Sequence, residues 1–374
     1  MSAIIDMKPY VPDTLPLDCL DHGRLIALVG KANAALARYD GLLQGIINPA
    51  VLLSPLTTQE AVLSSKIEGT QATLDEVLER EAGQSFSPEK NQDIQEIVNY
   101  RSALQMASEA VGGRALSLGL VKQMHAMLMD SVRGSNKEPG AFRRDQNWIG
   151  KPGCSIEEAT FVPPSPLQLQ DHLEAWERYL VSDDVDTLIQ TAIVHAQFEL
   201  IHPFKDGNGR IGRLIIPLFL YSKQTLSLPM FYLSSYLEEH RDVYYARLRA
   251  ISQDGDWNSW VAFFLEAVIA QATTNAEKVR SILALYEEMK QRVVEITHSQ
   301  FAIQTLDAIF ARPVFSTSDF ASRSGIPTRQ TALLTLRQLQ QAGILVTLVE
   351  ASGRRPATMA FRALINLSEG KHVV

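Results

Sequence analysis

Two cysteines in 374 residues, Cys19 and Cys154, are too few for a disulfide framework and have no metal-site spacing. That scarcity fits a chain kept in a reducing compartment. No apolar run reaches the ~18 residues that a spanning helix requires, so nothing is expected to cross a membrane. The opening MSAIIDMKPYVPDTLPL lacks the basic start and apolar centre of a secretory signal. Internal repeats and low-complexity tracts are missing too. These absences lead to the expectation of a soluble, cytoplasmic protein. A net charge of −7 argues against wholesale nucleic-acid binding. What is present is a hydrophobic content of 46%, enough for a sizeable interior, in a chain long enough for two or three domains.

Functional groups concentrate in one stretch, His202-Pro-Phe-Lys-Asp-Gly-Asn-Gly-Arg-Ile-Gly-Arg213. The preceding segment Thr187–Ile201 carries apolar residues in a pattern closer to a buried helix than to a strand. Pro203 biases His202 out of the α region, so the helix should stop there. Gly207, Asn208 and Gly209 tolerate unusual backbone angles and can gather N–H groups into an anion-binding nest. From Arg210 a second helix is expected, placing the nest at a helix N-terminus, where the dipole favours phosphate. Arg210 and Arg213 share one face of it and can reach a polyphosphate. His202 is suited to general-base work, and Asp206 offers a hard oxygen ligand to Mg²⁺. The plainer alternative is a helix cap with a solvated arginine face.

Gly207-x-Gly209-x-x-Gly212 also satisfies a dinucleotide-binding pattern, but that pattern needs a preceding strand and a later acid. The segment before it reads as helix, and Pro229–Tyr236 contains no acid. No Gly-Lys-Ser/Thr follows, which excludes a Walker A loop. His195 and His202 lie seven apart without a third ligand at matching spacing, so a zinc pair is not expected. His195 and His125 read as core histidines.

The stretch resembles the signature of the Fic family of AMP-transferring enzymes, His-Pro-Phe-x-Asp/Glu-Gly-Asn-Gly-Arg-x-x-Arg, at every fixed position from His202 to Arg213. The resemblance implies a mainly α fold: a helical Fic core with a small β-hairpin flap. It implies a protein adenylyltransferase, a nucleotidyltransferase that moves AMP from ATP to a Ser, Thr or Tyr hydroxyl of a target protein. His202 would be the catalytic base and Asp206 the Mg²⁺ ligand. The ATP-binding set would be Glu68, His202, Gly207, Asn208, Gly209, Arg210, Ile211, Gly212, Arg213 and Tyr245, with Phe204 anchoring the loop in the core. By the same resemblance, residues from about 155 to 162 form the flap that pairs with the target's backbone, and the protein forms a homodimer. Trp148 and Arg143 nearby read as structural. Tyr245 is placed beside the nucleotide by likeness to the family's adenine-side helix, and Tyr244 less clearly so.

Upstream, Ser64-Ser-Lys-Ile-Glu68-Gly resembles the family's inhibitory motif, which implies that Glu68 withholds Arg213 from the ATP γ-phosphate. Locally, Thr57-Thr-Gln-Glu60 has the form of a capping box, predicting a helix from Thr57 to Gly69. Thr73-x-x-Glu76 predicts the start of the next. Two alternatives stay open. The same pocket could remove AMP from a modified protein, or it could be the nucleotide sensor of a DNA-binding regulator.

Residues 301–374 hold eight basic and four acidic residues, a local balance of +4 against −11 for the rest. Helices are expected at Phe301–Phe310, Ser318–Ser324 and Thr328–Ala342. Strands at Ile344–Val349 and Met359–Arg362 would flank Gly353-Arg354-Arg355-Pro356. This resembles a winged helix-turn-helix, so DNA is a candidate partner through Arg329, Arg337, Arg354 and Arg355. The expected organisation is an N-terminal helical region (1–95) with the inhibitory motif, a Fic core (96–270), a connecting helix (271–300) and the C-terminal domain (301–374).

Overall fold

The computed structural model describes residues 8–370 apart from 113–114, 133–135 and 152. The first seven residues, which bear on the signal-peptide reading, and Lys371 of the basic C-terminal set lie outside the described residues. The chain opens with helices α1 (His22–Gln44), α2 (Pro49–Leu52), α3 (Ser54–Ile67) and α4 (Leu74–Glu81). Next come α5 (Pro88–Val111), α6 (Leu118–Leu128), a single 3-10 turn at Ile156–Glu158, and α7 (Leu169–Val181). The helices α8 (Thr187–Ile201) and α9 (Asn208–Ser222) are followed by α10 (Ser234–Glu239), α11 (Arg241–Asp254) and α12 (Trp257–Thr297). The last stretch runs α13 (Ala302–Ala311), β1 (Val314–Ser316), α14 (Thr317–Arg323), α15 (Arg329–Gln341), β2 (Val346–Val349), β3 (Thr358–Ala360) and α16 (Arg362–Glu369).

The fold is mainly helical, as expected, and it divides into two compact units. One comprises residues up to Asp40 together with Asn99–Ala272; the other comprises Gly41–Val98 with everything from Thr273 onward.

In the first unit α8 is the central element. Only Thr187 and Glu199 of α8 are not buried, as expected of a helix apolar all round. Asp186 caps it, its Oδ1 accepting the N–H groups of Leu188 and Ile189 at 2.8 and 3.2 Å. Two tryptophans close over it from α7 and α12. Trp176 Nε1 donates to the Val194 carbonyl at 3.0 Å and Trp260 Nε1 to that of Ala192 at 2.9 Å. Each buried indole N–H thus finds a partner while its ring fills the core.

In the second unit α13, α14 and α15 pack with a three-stranded antiparallel sheet of order β1-β3-β2. Its core holds Phe315 against Phe320 and Phe310 against Phe361, at 5.1 and 5.6 Å between ring centroids. This unit also contains α3 and α4. α16 packs on α3, and α4 packs on β1. Lys278 ties α12 to both ends of this packing, with Nζ donating to Gln59 Oε1 at 2.9 Å and the Ser368 carbonyl at 2.8 Å.

Several expectations need correcting. α3 starts at Ser54, not Thr57: Pro55 stands in its first turn and presets the helical φ, so Thr57 and Glu60 fall inside the helix and no box forms there. The box at Thr73 and Glu76 does form. The expected packing helix near Val261–Ile269 and the connecting helix 271–300 are one element, α12, whose sequence contains no Pro or Gly to interrupt it. The flap is no two-stranded ladder. Among the described residues one bridge joins Ile149 to Phe161, and residues 156–158 make a 3-10 turn between them. β1 and α16 were not foreseen.

α9 begins at Asn208, two residues before the expected Arg210, and its N-cap Gly207 has φ +75°. A Cβ at Gly207 would also lie 3.0 Å from Met129 Sδ. Gly207→Ala is therefore expected to lower stability by about 1–2 kcal/mol in urea unfolding, from the left-handed backbone alone. A variant as stable as the native chain would contradict this reading of the turn.

Candidate active site

His202 ends α8 in the left-handed conformation, with φ 49° and ψ 61°. Pro203 disfavours the α region for it, so the helix stops, as the sequence implied. The left-handed turn for a non-glycine residue costs about 1–2 kcal/mol, and Arg143 supplies the compensation. The Arg143 guanidinium is buried, 2% exposed. Its Nε donates to the His202 carbonyl at 2.9 Å, and its Nη2 to the carbonyls of Pro164 and Ile201 at 2.6 and 3.4 Å. Its backbone N–H donates to the Pro203 carbonyl at 2.9 Å. Burial pushes the guanidinium down to about 10, leaving it charged at neutral pH. A cation at the carbonyl end of a helix is also favoured by the dipole.

The His202 ring is half-buried. Its Nδ1 lies 3.3 Å from the Glu199 carbonyl, which can only accept, so this contact favours the tautomer with the proton on Nδ1 and the lone pair on Nε2.

The loop after His202 is fixed from inside. Phe204 is fully buried and stacks on His125 at 3.7 Å between centroids and 5° between planes. Asn208 clamps the same residue: its Oδ1 accepts the Phe204 N–H and its Nδ2 donates to the Phe204 carbonyl, both at 2.9 Å. The Asn208 side chain thus serves the loop's shape. Of the three residues expected to bend the nest, only Gly207 has positive φ, while Asn208 and Gly209 are the first helical residues of α9. As N-cap, Gly207 brings no side chain over the first-turn N–H groups.

Asp206 stays 45% exposed at its side chain; its Oδ1 accepts the Gly207 N–H at 2.6 Å and lies 3.7 Å from Arg210 Nη2. Oδ2 takes neither contact. One accessible carboxylate suits a Mg²⁺ that gets its other ligands from phosphate and water. Among the described residues no group of three or more His, Cys, Asp or Glu could hold a metal without such help. Arg210 and Arg213 are buried, at 4% and 2% exposure, and Ile211 is fully buried. Gly212 allows α8 and α9 to approach closely, since a Cβ there would meet Glu199 Oε1 at 2.1 Å.

Three supporting residues, Arg143, His125 and His195, went unread as such in the sequence. His125 accepts the Gly140 N–H on Nδ1 at 2.8 Å and donates from Nε2 to the Asp206 carbonyl at 3.0 Å. His195, fully buried, donates from Nδ1 to the Gly212 carbonyl and accepts the Tyr244 hydroxyl on Nε2, both at 3.0 Å. Both are core histidines, as expected, but each holds a backbone carbonyl of the 202–213 segment. Tyr244 is core, whereas Tyr245 is 37% exposed on α11 with Arg241 5.8 Å from its ring. No spacing in the sequence links 125 or 143 to this loop; only tertiary contact does.

Ser64 and Glu68 lie in the other unit. Ser64 is buried in α3 and Glu68 is its exposed C-cap, followed by Gly69 at φ +99°. The turn after Glu68 is stitched to α5: Thr70 Oγ1 donates to Glu96 Oε2 at 2.9 Å and the Gln71 N–H to Asp93 Oδ2 at 3.1 Å. Glu68 is thus carried on a braced corner.

Two family models match the chain, Fic/DOC family N-terminal over residues 26–109 and Fic/DOC family over residues 115–220, the second including all of His202 to Arg213. The chain belongs to the Fic/DOC family. It is similar to a probable protein adenylyltransferase of Aquifex aeolicus, 27% identical over 179 residues, which is 47% of this chain and 51% of that protein. The protein adenylyltransferase Fic of Drosophila erecta is 29% identical over 151 residues, 39% of this chain and 26% of its own length. The chain therefore spans about half, or less, of the length of these relatives. A Fic family protein from Desulfovibrio desulfuricans G20 shares the fold, with a TM-score of 0.58 at 19% identity over 95% of this chain and 98% of that one.

Burial holds His125 and His195 neutral, pushing them down to about 4 and about 3. Both values lie below the ~6.5 of an exposed histidine, so the unfolded chain takes up protons first as pH falls. Their stabilisation is complete above pH ~6.5 and is lost as pH drops towards the folded values. At about 1.4 kcal/mol per pH unit each, the pair removes roughly 2 kcal/mol between pH 6 and 5. Urea unfolding at the two pH values should show that loss, and His125→Gln should roughly halve it. An undiminished loss in His125→Gln would contradict the neutral, buried assignment.

Proposed function

We propose that the protein is an ATP-dependent protein adenylyltransferase whose catalytic base is His202. The observation that carries this reading is the coupling of three features in one connected turn. A histidine has its Nδ1 beside a backbone carbonyl, a glycine-capped helix N-terminus follows within six residues, and two buried arginines lie on that helix. Relatives described as protein adenylyltransferases support the same chemistry.

In the reaction, Nε2 of His202 takes the proton from a Ser, Thr or Tyr hydroxyl of the target protein. The hydroxyl oxygen forms a bond to the α-phosphorus of ATP, the bond from that phosphorus to the β-phosphate oxygen breaks, and pyrophosphate leaves. The first-turn N–H groups of α9 receive the phosphates where the dipole favours negative charge. Arg210 and Arg213 bind the outer phosphates, in an environment whose low polarity strengthens each contact. Asp206 would hold Mg²⁺, which when bound supplies charge neutralisation at the phosphates. The segment around 155–162, with Trp148 and Ile149 exposed at 41% and 40% beside it, would receive the target's backbone.

Regulation is part of the same proposal. Glu68, on its braced corner, is the inhibitory carboxylate that competes with the γ-phosphate for Arg213, and Ser64 on the preceding turn of α3 supports that element. Self-labelling from α-labelled ATP tests both claims. Glu68→Gly should raise labelling about 5- to 150-fold, the range of a typical coupling energy between sites. In that background His202→Ala should lower it about 10²–10⁴-fold, the usual contribution of a general base, while nucleotide binding persists. Unchanged labelling in Glu68→Gly would remove the inhibitory claim. Full labelling in the double variant would remove the base.

A further inference from the structure

The C-terminal domain is not used by the chemistry proposed above, yet it carries a built cationic surface. A cleft of about 710 Å³ opens between α15 and the turn joining β2 to β3. Arg329 and Arg337 of α15 line one side, and Arg354 and Arg355 of the turn line the other. All four are exposed, and the one acidic residue in the lining is Glu350. Among the described residues, Arg329, Arg337 and Arg354 make no ion pair. Arg355 donates to the Gln84 amide oxygen, a neutral partner.

The contrast within the same domain is informative. Arg312 and Arg323 are each matched to Asp319, at 3.3 and 2.8 Å. Acids therefore accompany the arginines that serve the fold and are nearly missing from those around the cleft. Four like charges on one concave surface repel one another, and an external polyanion relieves that repulsion while releasing its own counterions.

We propose that this domain is a winged helix-turn-helix that binds duplex DNA. α15 enters the major groove and Arg354 and Arg355 of the wing hold phosphates. Shape favours a duplex over a flexible acidic chain. Arg329 and Arg337 are eight residues apart, about 12 Å along the axis of a helix, and a helix of this kind is what a major groove about 12 Å wide admits. The strand order β1-β3-β2 leaves the β2–β3 turn projecting beside α15, where a wing must lie to reach the backbone. Exposed Gln330, in the first turn of the same helix, offers an amide of the kind that reads adenine edges. The proposal is independent of the adenylyl-transfer reading.

The test is fluorescence anisotropy of the full chain with a labelled, mixed-sequence duplex of about three helical turns, at several salt concentrations. With Arg329 and Arg337 on the phosphates that flank the groove, four guanidiniums on phosphates predict a log–log salt slope of about −3 to −4. Arg337→Gln with Arg354→Gln should weaken binding and reduce that slope by about 2. Glu350→Gln should tighten binding about twofold at low salt, a gain that no folding defect can imitate. No binding of the duplex at the lowest salt would overturn the proposal, as would a slope unchanged in the double variant. Binding of polyglutamate by the native chain, lost in the double variant while duplex binding is not seen, would assign the cleft to an acidic protein instead and equally overturn it.

Discussion

Four main-chain carbonyls, those of Ile201, His202, Pro164 and Asp145, converge on the guanidinium of Arg143, whose backbone N–H takes the carbonyl of Pro203. Hydrogen bonds from a charged donor are worth about 1.5–3 kcal/mol each, more than the left-handed turn at His202 costs. Without this cluster the end of α8 would be a set of buried carbonyls with no donors. With it, the imidazole is presented at one defined place, and the chain turns from one buried helix into the next within seven residues.

The remaining supports follow from that turn. His125 stacks on Phe204 and holds the Asp206 carbonyl, so the loop's floor is an aromatic contact and its edge a hydrogen bond. His195 holds the Gly212 carbonyl from α8, and Tyr244 orients His195 in turn. Each imidazole is kept neutral by burial, which lets one nitrogen donate and the other accept. A protonated ring would donate from both and lose one of its two partners. The mobile chemistry is left to His202, the one histidine of this group that is not buried.

Much of this was legible from residue order. Pro203 marks the end of α8, Thr73 and Glu76 mark the start of α4, and Gly343 ends α15 with φ +73°. Local rules suffice there because cap and stop chemistry involves residues within four positions of each other. They fail where a distant side chain decides. The site supports from His125 and Arg143 depend on contacts that no periodicity encodes. Thr57 and Glu60 have the letters of a capping box, yet Pro55 starts the helix earlier. β1 has only three residues, too few for alternation to register, and exists because β3 pairs with it. Packing of α16 on α3 likewise joins two segments that the sequence gives no reason to associate.

The claim on which the functional account rests is that the fold fixes the tautomer of His202 before any substrate arrives. Nitrogen-15 NMR of histidine-labelled protein at neutral pH reads it directly. The account predicts a protonated Nδ1 and an unprotonated Nε2 at His202. A ring protonated at Nε2, or one exchanging freely between the two forms, would contradict it.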